Sequence, residues 1–315
     1  MSRENQDGHA NTLPGSAYHV WAGRGRILCV AARCARRKGE LVTWFEGIIL
    51  GLVQGLTEFL PISSSAHVSI VGQLLFDGRD PGAAFTAVTQ LGTEAAVLVY
   101  FWKDITRIIH RWCLALVGKH DRNDPDVRIG WLVIIGSIPI VVLGLLLEDA
   151  IDSGLRNLWV TVAMLAAVAI VLAIADRHGA RNHRDLDKLS WGHGVALGFF
   201  QAAALVPGVS RSGATISGGL FLGYSREASA RYAFLLALPA VFGSGLYKLK
   251  DIGSDGAVSW GPTIVATLIA FAVGYAVIAW LLRYISTHSF KVFVWYRLGL
   301  AAVVAALLLG GVLAA

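Results

Sequence analysis

The residues best suited to chemistry in this 315-residue chain lie at 207–215, which read Pro-Gly-Val-Ser-Arg-Ser-Gly-Ala-Thr. The guanidinium of Arg211 is a planar fork that binds phosphate oxygens, and Gly208 lets the backbone approach an anion closely. Hydroxyl donors are added by Ser210, Ser212 and Thr215. The stretch therefore predicts phosphate binding. The plainer alternative is a broken membrane helix whose arginine extends to a lipid headgroup.

A second polar stretch, residues 54–67, places Gln54, Glu58, three serines and His67 between apolar flanks. The Glu58 carboxylate is a hard oxygen ligand for Mg²⁺ or Ca²⁺, and it is also suited to orient a base or a water. His67 is suited to act as base or nucleophile, and Ser64 lies one helical turn before it, so a Ser64–His67 pair is feasible. The serines could equally satisfy a helix N-terminus. The nucleophile is left open between His67, Ser64 and water.

Composition predicts that both stretches lie in a membrane. Hydrophobic residues make up 55% of the chain and charged residues only 15%, which is typical of a polytopic membrane protein. The net charge of +6 is accounted for by basic connectors, so no nucleic-acid partner is expected. The three cysteines are odd in number and lack the spacing of metal ligands, so no structural disulfide is expected.

Apolar segments predict an all-α fold with six transmembrane helices and two re-entrant helical hairpins. The six spans are predicted at 85–102, 129–147, 158–175, 228–247, 262–282 and 298–315. The hairpins are predicted at 44–76 and 190–223, each broken by a serine-rich stretch, and residues 103–128 are predicted as a basic loop. Broken segments in corresponding halves predict an inverted repeat, 42–175 and 190–315, whose two breaks meet at the membrane midplane.

Two further expectations concern charged and polar residues at membrane depth. Gln90 and Glu94 are one turn apart in the first span and should face the bundle interior, as links between helices or as support for the site. Removal of Arg211 is expected to leave the fold intact, because a charge in the membrane is unfavourable.

Lysine and arginine predict the orientation. Alternate connectors carry thirteen of these residues against four, with Arg297 counted in the richer set, so the richer set is predicted to be cytoplasmic. The first hairpin then enters from outside and the second from inside, which opens the site to the outer face. Residues 1–41 are a basic N-terminal extension that conflicts with this orientation, so they are expected to be disordered or to precede the native start near Val42.

Three motifs together resemble a known family. Gln54-x-x-x-Glu58, the following Pro-x-Ser-Ser-x-x-His67, and Pro207-Gly-x-Ser-Arg-Ser-x-x-Thr215 look like the signature of the undecaprenyl-diphosphate phosphatase family, the bacitracin-resistance type. The resemblance runs from about Trp44 to the C-terminus. Gln54 stands where many members have Glu, which puts its role as a metal ligand in question.

The resemblance implies hydrolysis of undecaprenyl diphosphate to undecaprenyl phosphate and inorganic phosphate, which recycles the carrier for cell-wall synthesis and confers bacitracin resistance. It implies a multi-pass protein of the bacterial inner (plasma) membrane, with Arg211 holding the diphosphate, Glu58, His67 and Ser64 in catalysis, and Mg²⁺ or Ca²⁺ at Glu58. A homodimer is left open. The alternative from another class is a transporter of polyprenyl phosphate lipids, because secondary transporters also use inverted repeats with broken helices.

Overall fold

The computed structural model describes residues 42–76, 82–147, 151, 157–249 and 260–314, which lie within one compact unit. The prediction for residues 1–41 falls outside the described residues. The described residues form eleven α-helices: α1 Trp44–Thr57, α2 Ser64–Leu75, α3 Ala83–Tyr100, α4 Trp102–Leu116, α5 Pro125–Leu146, α6 Leu158–His178, α7 Trp191–Ala202, α8 Arg211–Phe221, α9 Arg226–Lys248, α10 Trp260–Ile285 and α11 Lys291–Leu309.

Five of these helices, α5, α6, α9, α10 and α11, are long and apolar enough to cross a membrane. A sixth candidate is the pair α3 and α4, which bend by 78° at a short break. These six correspond in order to the six predicted spans, so the all-α polytopic membrane fold is confirmed. Helix α9 is the central one, because 67% of its apolar window is buried, against 22–33% for the other four long helices.

Two boundaries predicted from the sequence are wrong. The segment predicted as a basic loop contains α4, whose apolar residues recur at helical spacing and bury Ile105 and Ile108 against the bundle. Arg107 and Arg111 tie α4 to Asp126 in the first turn of α5, at 2.8 and 2.9 Å. Helix α11 begins at Lys291 rather than at 298, since Arg297 lies buried inside this helix and not in a connector.

The two predicted hairpins share the same arrangement of helix, break and second helix. In each, a helix capped by a Thr or Ser side chain (Thr43 for α1, Ser190 for α7) leads to a break and then to a short second helix. The residue before each second helix is a serine in the left-handed region, Ser63 with φ 73° and Ser210 with φ 72°. No other described residue except glycine has positive φ. Strained backbone of this kind persists only where its surroundings hold it, so both breaks are built features.

The first helix of each hairpin packs against a long helix of the other half. Helix α1 of the first half packs on α10 of the second, and α7 of the second half packs on α5 of the first. With the bent pair α3 and α4 counted as one span, three spans (this pair, α5 and α6) separate the hairpins, and an odd number of spans predicts that the hairpins enter the membrane from opposite faces. This order agrees with an inverted repeat, and its bounds at 42–175 and 190–315 stay a prediction.

Glycines make these contacts between the halves close. A Cβ on Gly51 of α1 would lie 2.6 Å from the carbonyl oxygen of Ala266, and one on Gly198 of α7 would lie 2.5 Å from that of Gly136. Small residues at such positions let two helix backbones approach each other, as is common between membrane helices.

Candidate active site

The centre of the site is the contact between the two breaks. Arg211 is the first residue of α8, and its guanidinium is hydrogen-bonded to the carboxylate of Glu58, which follows α1. The same nitrogen lies 3.4 Å from Glu94 Oε1 on α3. The Arg211 side chain is 16% exposed, while those of Glu58 and Glu94 are 4% and 1% exposed. One cation thus contacts two buried carboxylates. Glu94 faces the bundle interior as predicted, and the structure places it beside Arg211. Gln90, one turn earlier, is half-buried.

The second oxygen of Glu58 accepts two hydrogen bonds. Gln54 Nε2 donates to Glu58 Oε2 at 2.6 Å, and the Ser64 hydroxyl donates to the same oxygen at 2.6 Å. The Gln54 amide therefore orients Glu58 by donating a hydrogen bond to it. A carboxylate at position 54 could donate in this way only when protonated. The Ser64 hydroxyl thus donates its hydrogen bond to a carboxylate. This is the arrangement in which a base activates a hydroxyl nucleophile.

His67 has different partners from those predicted. Its Nδ1 lies 2.7 Å from the carbonyl oxygen of Ser63 and its Nε2 lies 2.7 Å from the hydroxyl of Tyr296, whose ring stacks on it at 5.5 Å. A carbonyl only accepts, so Nδ1 carries a proton, and in the neutral imidazole Nε2 then accepts from the Tyr296 hydroxyl. Both ring nitrogens are engaged, and the structure pairs Ser64 with Glu58 rather than with His67. Tyr296 gave no signal in the sequence, because only the fold brings α11 against α2.

The serines of the second break organise the start of α8. Ser210 Oγ accepts from the Gly213 amide at 3.1 Å and lies 3.1 Å from the Ser212 hydroxyl. Ser212 also donates to the Leu60 carbonyl at 3.0 Å, which joins the second break to the first. The hydroxyl of Thr215 is buried and has no hydrogen-bond partner within the described part of the chain. The amino terminus of α8 adds positive potential beside Arg211, as anion-binding helices do.

Gly208 is required for a reason other than contact with an anion. Its φ is +92°, and a Cβ there would lie 2.6 Å from the Thr161 carbonyl oxygen. The backbone of the second break therefore packs against α6 too closely for any side chain.

An arginine outside the predicted site reaches both breaks. Arg297 on α11 is fully buried, and its guanidinium donates to carbonyls of the first break, the second break and α6. Its sequence context, between a tyrosine and a leucine at the edge of a predicted span, gave it the appearance of an interfacial connector charge.

The acidic residues of the site suit a cation that is shared with a phosphate. No three His, Cys, Asp or Glu side chains converge among the described residues. Glu58 and Glu94 do converge on Arg211, and Glu94 Oε2 is buried without a hydrogen-bond partner. Mg²⁺ is commonly held by one or two carboxylates together with phosphate oxygens, so this donor set fits a hard divalent cation.

An apolar cavity of about 450 Å³ begins at Arg211 and runs between α5 and α9. It is lined by Ile140, Gly144 and Ala240, and it reaches Tyr247 and Lys248 at the end of α9. The end of the bundle that it reaches lies opposite the lysine- and arginine-rich connectors. The cavity thus connects Arg211 with the end of α9 along an apolar surface.

The fold and the site together define a class: a polytopic membrane protein in which two broken helices of an inverted repeat bring an arginine, a carboxylate and a serine together beside an apolar channel. The chain belongs to the family of the bacitracin resistance protein BacA, whose model matches residues 47–303. It is 62% identical over 278 residues to the undecaprenyl-diphosphatase of Micrococcus luteus, covering 87% of this chain and all of that protein. It is 58% identical to undecaprenyl-diphosphatase 2 of Streptomyces coelicolor, covering 86% of this chain and 97% of that protein, and 58% identical to undecaprenyl-diphosphatase 2 of Agrobacterium fabrum, covering 86% and 98%.

Proposed function

We propose that this protein hydrolyses undecaprenyl diphosphate to undecaprenyl phosphate and inorganic phosphate. The observation that carries the proposal is the Ser64 hydroxyl hydrogen-bonded to Glu58 while Glu58 also binds Arg211, all three at the junction of the two breaks. Relatives at 58–62% identity that bear the name undecaprenyl-diphosphatase support the same substrate. The reaction returns the lipid carrier to cell-wall synthesis and thereby confers bacitracin resistance.

Arg211 binds the diphosphate. When the lipid headgroup enters, its phosphate oxygens take the place of a carboxylate on the planar guanidinium. The amino terminus of α8 and the hydroxyls around it add donors. These groups stabilise the charge that develops on the leaving phosphate as the bond to the terminal phosphorus breaks.

Ser64 supplies the nucleophile in this proposal. Glu58 accepts the Ser64 proton, and the serine oxygen attacks the terminal phosphorus while the bond from that phosphorus to the bridging oxygen breaks. Undecaprenyl phosphate leaves and takes the proton from Glu58, which restores the carboxylate. The carboxylate then deprotonates a water molecule, whose oxygen attacks the phosphorus of the phosphoserine. The serine–phosphate bond breaks, the serine oxygen takes the proton back from Glu58, and inorganic phosphate is released. His67, held between Ser63 and Tyr296, fixes the first turn of α2, from which Ser64 projects.

Mg²⁺ or Ca²⁺ would be held by Glu58 and Glu94. Bound there, such a cation would supply positive charge to the phosphate oxygens of the substrate. The role of the protein is to keep two carboxylates and one guanidinium in a site with little water, where each charge acts strongly.

The site opens to the outer face of the bacterial inner membrane in this proposal. Two observations support it: the lysine and arginine bias of the connectors, and the apolar cavity that leads from Arg211 to the opposite end of the bundle. The prenyl chain remains in the cavity and the bilayer while the headgroup reaches Arg211.

Phosphate release in detergent tests the function. Full-length protein purified in detergent is mixed with undecaprenyl diphosphate, and inorganic phosphate is measured with and without Mg²⁺. Release at many turnovers per protein is expected. A transporter of polyprenyl phosphate lipids, the alternative that the inverted repeat favours, would bind the lipid but release no phosphate, because detergent offers no second leaflet. Lipid binding without phosphate release would therefore refute hydrolysis and favour the transporter function.

A further inference from the structure

Arg297 is the most completely buried charged residue of the described bundle, with 0% of its surface exposed. It lies in α11, and its guanidinium donates to five backbone carbonyls at 2.8–3.3 Å. The acceptors are the carbonyl oxygens of Pro61, Met164, Leu165, Gly208 and Val209. Within the described part of the chain Arg297 forms no ion pair with a carboxylate.

Three of these carbonyls belong to the two breaks. Pro61 lies in the first break, and Gly208 and Val209 lie in the second. Pro61 and Gly208 are equivalent in the repeat, since each stands two residues before the left-handed serine of its hairpin. One guanidinium therefore binds the matching backbone atom of both hairpins, and through Met164 and Leu165 it ties them to α6.

The carbonyls in the breaks need an outside donor. Non-helical backbone at membrane depth is tolerated only where it is buried in protein and its polar groups are satisfied. A buried carbonyl without a partner is unfavourable, and a guanidinium offers five donors in a fixed plane. Carbonyl dipoles in turn surround the buried charge, so Arg297 and the two breaks stabilise one another.

We infer that Arg297 is a positioning residue for the reaction: it holds the two breaks at the separation at which Ser64 and Glu58 of one hairpin face Arg211 of the other. The inference rests on the proposed function. Catalytic groups misplaced by about 1 Å lose about 10²-fold in rate, and Arg297 contacts the backbone of both breaks directly.

Two substitutions separate the parts of this role. Arg297→Lys keeps the charge, but a lysine has three donors on one nitrogen and does not reach five carbonyls in a plane. Arg297→Gln keeps a planar donor group and loses both length and charge. Arg283, exposed near the end of α10, provides the matched control as Arg283→Lys and Arg283→Gln.

Each purified variant is examined by steady-state phosphate release, by a thermal melt and by hydrogen–deuterium exchange of peptides covering residues 60–65, residues 207–212, α10 and the other helices. For Arg297→Lys we expect kcat to fall by about 10²-fold, with KM changed far less, because alignment rather than headgroup binding is lost. Exchange should accelerate in both breaks and remain unchanged in α10. Arg297→Gln should show the same pattern more strongly, and both Arg283 variants should match the wild type.

Several results would overturn the inference. One is wild-type kcat for Arg297→Lys with unchanged exchange in the breaks. A second is a fall in activity that follows uniform loss of protection across all helices. Failure of both Arg297 variants to fold is a third, because Arg297 would then be needed by the bundle as a whole. The exchange measurement needs no turnover, so absence of hydrolysis by the wild type would refute the proposed function while leaving this test intact.

Discussion

At the scale of single residues, Arg211 is bound more tightly into the structure than its sequence suggested. A charge at membrane depth is unfavourable by itself, which predicts that its removal leaves the fold intact. In the structure, however, Arg211 is the cation shared by Glu58 and Glu94. Its removal would leave two buried carboxylates without their cation, so the structure gives the opposite expectation for stability.

Arg211→Lys and Arg211→Ala separate geometry from charge. Lysine still neutralises the two carboxylates, so the thermal melt should stay close to that of the wild type while turnover falls by about 10²–10³-fold, because the planar fork is lost. Alanine should abolish turnover and also destabilise the protein by about 3–5 kcal/mol, the effect of breaking a buried pair. Phosphate release and a melt in the same detergent measure both. An Arg211→Lys variant that turns over within a few-fold of the wild type would remove Arg211 from the proposed mechanism.

Glu58 and Gln54 are neighbours with different expected effects on the cation. Glu58→Gln removes a charge that a hard divalent cation requires, whereas Gln54→Ala removes only the amide that orients Glu58. Binding of the diphosphate lipid, measured with and without Mg²⁺, should lose its Mg²⁺ dependence in Glu58→Gln and keep most of it in Gln54→Ala. Equal loss in the two variants would mean that neither residue acts through a metal.

At the scale of elements, glycine sets how closely the halves interlock. On α7, a Cβ at Gly198 would meet the Gly136 backbone, whereas one at Gly192 would meet nothing within 4 Å. Gly198→Ala should therefore push α7 from α5 and destabilise the protein by about 1–3 kcal/mol. Gly192→Ala, on the same helix, should leave the melt unchanged or raise it slightly, since alanine favours helix. A Gly198→Ala melt equal to that of Gly192→Ala would show that the contact between these helices is not tight.

The hairpins could be predicted from the sequence because their chemistry is local. Proline, glycine and serine interrupt an apolar run, and each fragment is too short to span a membrane. The partners of Tyr296 and Arg297 could not be predicted, since their contacts lie across 229 and 236 residues of chain. Helix α4 was predicted as a loop because its basic residues suggested a connector, although its apolar residues recur at helical spacing. Local polarity thus revealed the breaks, and long-range packing decided which groups meet in them.

At the scale of the whole molecule, the predicted orientation in the membrane depends on the number of lysines and arginines in the connectors, and the structure changes that number by one. Arg297 is buried inside α11, so the richer set of connectors holds twelve lysines and arginines rather than thirteen, against four. Three of the four in the poorer set (Arg79, Arg156 and Lys250) lie outside the described residues. The imbalance remains large, and it still predicts that the end of α9 at Lys248, where the apolar cavity emerges, is the outer one.

Three cysteine positions test this orientation in whole cells with a membrane-impermeant thiol reagent. The native Cys113 is exposed on α4, on the side predicted to be cytoplasmic, and it should react only after the cells are opened. In a background without the other cysteines, Lys248→Cys should react from outside. Ser65→Cys, exposed at the start of α2, should also react from outside and be protected by diphosphate lipid, because it stands next to Ser64. If Cys113 reacted from outside and Lys248→Cys reacted only after the cells were opened, the orientation of the protein would be the reverse of the one predicted. Labelling of Ser65→Cys only from the cytoplasmic side, with the other two as expected, would keep the orientation and place the opening of the site on the inner face.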